Sequence, residues 1–369
     1  MAGVKILHIS DLHLDRKINN LPPDKAKIRR SETLISLENV LNMHNDVDVV
    51  LIAGDLFDGE CSLKSVRFTA ELFAKFSHMR FFVACGNHDP YDSESIRLFE
   101  SLASNNVVIF KDKHDSYYLD YLNTWIHGIS FVSTSSYTSL LQGFHIKDDS
   151  AVNIMVMHGD LSSESKYNPI SRTEIAESNL DYLALGHIHK HSEILNENGV
   201  RYAYSGVFEP QGFDEMNECG VITGIVDKKT SFLEFKNTSI RNFREIKLDI
   251  TDVKSDEELI SLLSGSVNHK DAYRIVLNGK RKYFTPDTSL INNLLDVFHM
   301  IIIDETDKNT DILDYKYEIS LRGKACQHLL SIRKAENIND SVFEDACEIL
   351  TNLFNKGWKQ YVYQSHSYR

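Results

Sequence analysis

The chain of 369 residues has no apolar run long enough to span a bilayer, and its first residues lack the basic-then-apolar order of a secretory signal. Neither a membrane protein nor an exported one is expected. Cysteine is scarce and scattered: Cys61, Cys85, Cys219, Cys326 and Cys347 form no CxxC pair. That argues against a zinc knuckle or a disulfide frame and fits reduced thiols in a cytoplasmic protein. Positive charge is in deficit, with a formal net charge of −13. That argues against a broadly basic surface that coats nucleic acid. A polyanionic substrate is not excluded, because bound divalent cations reverse the sign of a site locally. No internal repeat or low-complexity tract is present.

Hydrophobic content of 42% and charged content of 25% are those of a soluble globular protein, and the length suggests two domains. Five apolar runs stop abruptly in Asp, Asn or His. Lys5–Ser10 leads to Asp11-Leu12-His13, Val47–Ala53 to Gly54-Asp55-Leu56-Phe57-Asp58, and Phe81–Cys85 to Gly86-Asn87-His88-Asp89. Asn153–Met157 leads to His158-Gly159-Asp160, and Asp181–Leu185 to Gly186-His187-Ile188-His189. Val47–Ala53 is β-branched and apolar almost throughout, as a parallel strand covered on both faces would be.

Helical spacing lies between these runs, with Leu34, Leu37, Val40 and Leu41 on one face and Leu63, Val66, Ala70, Phe73 and Phe76 on another. The β-α-β-α alternation predicts a largely parallel sheet with its site along one edge. Leu14 to about Arg30 reads either as a solvated connector or as a phosphate-contacting loop, given Lys17, Lys25, Lys27, Arg29 and Arg30. Shorter alternating runs from Tyr117 to Phe131 suggest antiparallel strands of a second sheet. Beyond Asn242 a β-α-β-α-β pattern followed by two helical stretches is enough for a small α/β domain and a helical tail.

Collected, the strand ends supply Asp11, His13, Asp55, Asn87, His88, His158, His187 and His189. If Asp11 and His13 lie on extended chain, residues two apart point to the same side and reach one ion. Imidazole with carboxylate and amide, and no thiolate, suits divalent first-row metals such as Mn²⁺, Fe²⁺ or Zn²⁺. Asp55 is the natural bridge between two ions, which can activate a shared hydroxide and hold the oxygens of an in-line phosphoryl displacement. A single His or Asp at a strand end is usually a turn or cap residue; five such ends are not independent caps. His8, His127 and His191 fall outside the pattern and read as ordinary packing residues.

In order and spacing these motifs resemble the calcineurin-like metallophosphoesterases over residues 4 to 236. The segments His8–Leu14 and Gly54–Asp58 are most similar to the SbcD-type DNA repair exonucleases, as is Tyr204–Glu215, apart from Ser205 where proline is usual. The resemblance implies an α/β fold, a two-sheet α/β sandwich with a smaller C-terminal α/β capping domain. Boundaries of 1–240 for the nuclease domain, 241–320 for the cap and 321–369 for a C-terminal helical segment follow. It implies one metal held by Asp11, His13, Asp55 and His189 and another by Asp55, Asn87, His158 and His187, most readily Mn²⁺. His88 would contact the scissile phosphate and protonate the leaving oxygen, with Asp58 or Asp89 orienting it.

The function implied is a metal-dependent phosphodiesterase acting on DNA in repair, with an SbcC-type coiled-coil ATPase as partner and a homodimer left open. A phosphoesterase for a nucleotide or other small molecule is the alternative, since the same metal set serves many substrates. A non-catalytic scaffold of the same fold is expected to lose ligands, and none is missing here. The C-terminal helices, with Leu329, Leu330 and Ile332, then Phe343, Ala346, Ile349, Leu350 and Leu353, could either dock a partner or pack on their own domain.

Overall fold

The computed structural model describes residues 3–59, 61–228, 230–280, 285–306, 312–336 and 338–365. Strands and helices alternate at the start: β1 (Val4–Ile9), α1 (Pro23–Met43), β2 (Val49–Ala53), α2 (Leu63–Lys75), β3 (Arg80–Ala84), α3 (Glu94–Leu102) and β4 (Val107–Ile109). Then come β5 (Asp115–Leu119), β6 (Thr124–Gly128), β7 (Val152–His158), α4 (Arg172–Glu177), β8 (Tyr182–Gly186), β9 (Leu195–Glu197) and β10 (Val200–Tyr204). The strands β11 (Gly220–Val226) and β12 (Phe232–Asn237) follow.

Two six-stranded sheets result, in the orders β12-β11-β1-β2-β3-β4 and β5-β6-β7-β8-β10-β9. Strands β1 to β4 are mutually parallel, and so are β6, β7, β8 and β10. Antiparallel strands lie outside each parallel set. The sheets face each other through Val49, Leu51, Phe82 and Ala84 on one side and Ile154, Val156, Tyr182 and Ala184 on the other. Their alternate residues point outward: Phe81 and Val83 pack with Leu37, Val66, Phe73 and Phe99 of the helices, and Met155 and Leu183 pack with Ile175 of α4. Strands β2, β3, β7 and β8 are thus covered on both faces, which is why they read as unbroken apolar runs. This is the two-sheet sandwich that the resemblance implies.

Local chemistry sets the helix starts. Ser62, Ser93 and Ser171 cap α2, α3 and α4 by accepting the N–H three residues on, and Ser171 with Glu174 completes a capping box. At α1 the reading of a connector to Arg30 is corrected: the helix begins at Pro23, whose fixed φ and missing N–H suit a first helical position. The basic residues from Lys25 to Arg30 are therefore helical, and Arg29 is fully buried.

The chain divides into two compact units. One comprises Met1–Glu245, Asn268–Arg274 and Val297–Met300, the other Ile246–Val267, Ile275–Asp296 and Ile301–Arg369. After residue 242 come β13 (Phe243–Asp249), α5 (Asp256–Ser264), β14 (Ala272–Asn278), α6 (Thr288–Leu294) and β15 (His299–Asp304), with sheet order β13-β14-β15. Helices α7 (Leu321–Glu336) and α8 (Asp340–Ser365) end the described chain, and residues 366–369 of the helical segment lie outside it. Leu329, Leu330, Phe343 and Leu350 pack into a local core, while Ile349 and Leu353 stay exposed.

Candidate metal centre

The carboxyl ends of β1, β2 and β3 from one sheet and of β7 and β8 from the other meet at one edge of the sandwich. The site is shared by both sheets rather than lying along one, because β7 and β8 pack face to face on β2 and β3. Past β1 the chain runs beside the loop after β2: Asp11 N–H donates to Gly54 O at 3.1 Å, His13 N–H to Asp55 O at 2.9 Å and Leu14 N–H to Leu56 O at 3.0 Å.

Asp11 and His13 are not on extended chain, as the spacing argument assumed. Their φ values are 51° and 44°, and Asp55 and His187 have φ 52° and 102°. Four non-glycine residues in the left-handed region carry strain of roughly 1–3 kcal/mol each, a pattern that clusters at functional sites. Neighbouring glycines make room. A Cβ on Gly54 would stand 2.2 Å from His158 Nδ1, and one on Gly86 would stand 2.1 Å from Asp55 Oδ1.

All the predicted side chains come to this place. Ligand atoms of Asp11, His13 and His189 lie within 4.8 Å of one another, as do those of Asp11, Asp55 and His158, and those of His13, Asp58 and His88. Asp55 Oδ2 lies between His13 Nε2, at 3.7 Å, and His158 Nε2, at 3.5 Å. Asn87 Oδ1 is 3.0 Å from His158 Nε2. The His187 ring is 5.1 Å from the His158 ring, and burial pushes its pKa down to about 4, so it is neutral at pH 7.

The tautomers decide whether a cation fits. His158 donates its Nδ1–H to Ala53 O at 2.9 Å. The Nδ1 atoms of His13 and His189 face Asp58 Oδ1 at 3.2 Å and Glu215 Oε1 at 3.0 Å. Carbonyls and carboxylates only accept, so each Nδ1 carries a proton, and in the neutral ring each Nε2 presents a lone pair. These lone pairs face Asp55, Asn87 and one another, with His13 Nε2 and His189 Nε2 only 3.3 Å apart. Acceptors turned toward acceptors are satisfied by a cation, and a set of nitrogen and oxygen donors without sulfur suits a divalent first-row metal.

His88 stands apart from that set. Its side chain is 49% exposed and its Nδ1 is 2.9 Å from Asp58 Oδ1, which raises its pKa. Burial would raise Asp58, but hydrogen bonds from His13 and His88 outweigh it and hold the carboxyl below the usual range. Of the two carboxylates read as partners for His88, Asp58 bonds the imidazole. Asp89 instead accepts from Gly86 N–H at 2.8 Å and Phe57 N–H at 3.0 Å, stapling two strand-end loops together.

Sequence reasoning did not assign Glu215, which lies downstream in a loop and reaches His189 only through the fold. Glu209, also unassigned, is buried and accepts from Arg29 Nη2 at 2.9 Å, Ser36 Oγ at 2.7 Å and Ile240 N–H at 2.6 Å. Arg29 is thus held by this carboxylate. His8 and His127 are hydrogen-bonded inside the fold, and His191 stacks on Phe235 with centroids 3.9 Å apart.

Residues 4–191 match the model of the calcineurin-like phosphoesterases. The chain belongs to that family. This phosphoesterase is 25% identical over 283 residues to YhaO, an uncharacterized metallophosphoesterase of Bacillus subtilis strain 168, covering 71% of this chain and 67% of that one. It is 22% identical over 340 residues to the DNA double-strand break repair protein Mre11 of Sulfurisphaera tokodaii, covering 86% of this chain and 85% of that one. Among solved structures, TT1561 of Thermus thermophilus is similar with a TM-score of 0.39 and 12% identity, over 64% of the phosphoesterase and 99% of TT1561. By family the phosphoesterase is a hydrolase that works with divalent metals. Among the described residues no helix is long and apolar enough to cross a membrane.

Proposed function

We propose that the protein is a metal-dependent phosphodiesterase acting on DNA in repair. The observation that carries this reading is the complete set of donors at the shared edge, where the Nε2 atoms of His13 and His158 face Asp55 and that of His189 faces His13 Nε2. Asp11, His13, Asp55 and His189 would hold one divalent ion, and Asp55, Asn87, His158 and His187 the other, with Mn²⁺ matching the mixed nitrogen and oxygen set. Bound there, the two ions would lower the pKa of a water and neutralise the oxygens of a phosphoryl group.

The chain's own residues then divide the work. Half-exposed at the mouth, His88 contacts the scissile phosphate and delivers its proton to the departing oxygen. Asp58 fixes that ring and, by its hydrogen bond, raises its pKa and so favours the protonated form that a general acid needs. Asp89 holds the loop of Asn87 and His88 in register with Phe57. DNA as the substrate is supported by the Mre11 relative, whose match extends well beyond the phosphoesterase core. Residues 241–320 act as a cap that selects the polymer end, with 321–369 as a helical segment. An SbcC-type coiled-coil ATPase is the proposed partner, and a cytoplasmic location fits the five scattered thiols.

The net charge of −13 favours a second reading, a phosphoesterase for a nucleotide or another small diester. One experiment separates the two: hydrolysis of labelled linear DNA and of bis-p-nitrophenyl phosphate by the Mn²⁺-loaded protein, beside His88→Ala. Cleavage of both, lost in the variant, is the expected result. Turnover of the small diester alone moves the substrate to the second reading, and no turnover of either overturns the enzyme.

A further inference from the structure

Packing holds His189 less firmly than it holds His13 and His158. Its side chain is 37% exposed, against 1% for His13 and 0% for His158. Its backbone follows His187, in the left-handed region, on a loop beyond the end of β8. An imidazole on an open loop samples several rotamers, and a metal ligand needs one.

The restraint comes from the loop that follows β10. Glu215 is 3% exposed, and both of its oxygens are occupied. Oε1 accepts the Nδ1–H of His189 at 3.0 Å and Arg16 Nη1–H at 2.8 Å, while Oε2 accepts the Gln211 N–H at 2.7 Å. A turn closed by Glu215 N–H on Gly212 O at 3.1 Å fixes the carboxylate's own backbone. Gln211 Nε2 in turn reaches the carbonyls of Leu12 and His13, at 3.3 Å each. The carboxylate that grips His189 is therefore anchored to the backbone that carries His13, and the two Nε2 atoms meet 3.3 Å apart. Arg16 supplies the opposite charge that a buried carboxylate requires.

We infer that Glu215 is a positioning residue for the metal ligand His189, holding its ring as the Nδ1–H tautomer and aiming Nε2 into the centre. Asp58 stands to His13 as Glu215 stands to His189, so each of these two rings has a carboxylate on its Nδ1. The inference rests on the reading of this centre as a divalent-metal site. Arg16 makes the arrangement asymmetric: its guanidinium occupies the same oxygen as the imidazole and limits how far Glu215 can swing.

The test is a calorimetric titration of the metal-free protein with Mn²⁺, wild type beside Glu215→Gln. The amide has the same shape, but its NH₂ group must face either the His189 N–H or the Gln211 N–H, setting donor against donor. One of the two Mn²⁺ affinities is expected to fall about 10–100-fold with the other unchanged, whatever the change in the metal-free melting temperature. Two unchanged affinities overturn the inference. So does an equal fall in both accompanied by a lower melting temperature, the mark of a structural role.

A second measurement needs no variant. Imidazole ¹⁵N shifts of the metal-free wild-type protein at alkaline pH report the His189 tautomer, expected to be Nδ1–H; the Nε2–H form overturns the assignment even if E215Q does not fold. A wild-type chain that binds no Mn²⁺ sinks the metal reading itself, whereas the tautomer judges Glu215 independently.

Discussion

One oxygen of Asp58 stands 2.9 Å from the Nδ1 of His88, and the same atom is 3.2 Å from the Nδ1 of His13. A single carboxylate thus serves a proposed proton donor and a proposed metal ligand, and substitutions should separate the two duties. His88→Ala is expected to lower kcat by about 10²–10⁴-fold, the range for loss of a general acid, without changing Mn²⁺ affinity. Asp58→Asn is expected to lower both kcat and Mn²⁺ affinity, since His13 loses its partner too. Steady-state kinetics and calorimetry on the two variants check this. Unaltered Mn²⁺ binding in D58N would show that His13 is held by other means.

Gly54 lies where no side chain fits. Its φ is 89°, and an added Cβ would stand 2.2 Å from His158 Nδ1. Gly59 provides the control: its φ is 65°, but nothing lies within 4 Å of an added Cβ. Gly59→Ala should show only backbone strain, about 1–2 kcal/mol. Gly54→Ala adds a steric clash, and a further 1–3 kcal/mol or so is expected, as for overpacking. Urea unfolding of the metal-free variants reads the difference. Mn²⁺ binding should weaken in G54A alone, because only there is a ligand ring displaced.

The strand ends are legible in the sequence because two independent patterns coincide at each: an unbroken apolar run, then a residue type with no packing purpose. Other features depend on tertiary context. The sharing of the site by both sheets follows from β7 and β8 packing on β2 and β3, contacts between distant segments that local alternation does not encode. Asp11 and His13 lack any glycine that would announce a left-handed backbone, so extended chain is the natural reading. The basic run from Lys25 to Arg30 looks solvent-facing, since nothing local pairs Arg29 with Glu209, and Pro23 as a helix start is the signal available for correcting it. Glu215 escapes for the same reason: its partner lies on another loop.

Arg29 and Glu209, both 0% exposed, form a buried pair 2.9 Å apart. Arg29→Ala would leave the Glu209 carboxylate buried with only Ser36 and the Ile240 N–H as donors. The expected cost is about 3–5 kcal/mol, as for removing one partner of a buried ion pair. Replacing both charges, as in R29M/E209L, removes the orphan and is expected to be less damaging than R29A alone. Urea unfolding of the single and double variants decides it. A double variant as unstable as R29A would show that the charges hold α1 by more than mutual compensation.

His8 should shape the acid side of the stability profile. It is wholly buried, donates Nε2–H to Leu185 O at 3.1 Å and receives the Tyr182 hydroxyl on Nδ1 at 2.9 Å. Burial pushes its pKa down from 6.5 to about 3. Between those values the unfolded chain binds a proton that the folded chain refuses, so stability is full above pH 6.5 and falls as pH drops toward 3. At about 1.4 kcal/mol per pH unit, His8 alone removes roughly 2 kcal/mol by about pH 5. His127, held at about 4 by burial, adds a loss of the same sign. Urea unfolding of the metal-free protein from about pH 7 to about pH 5 should therefore show a steeper decline in wild type than in His8→Gln, whatever the variant's starting stability. Equal slopes would mean that His8 accepts a proton inside the fold, which requires Tyr182 to turn its hydroxyl away.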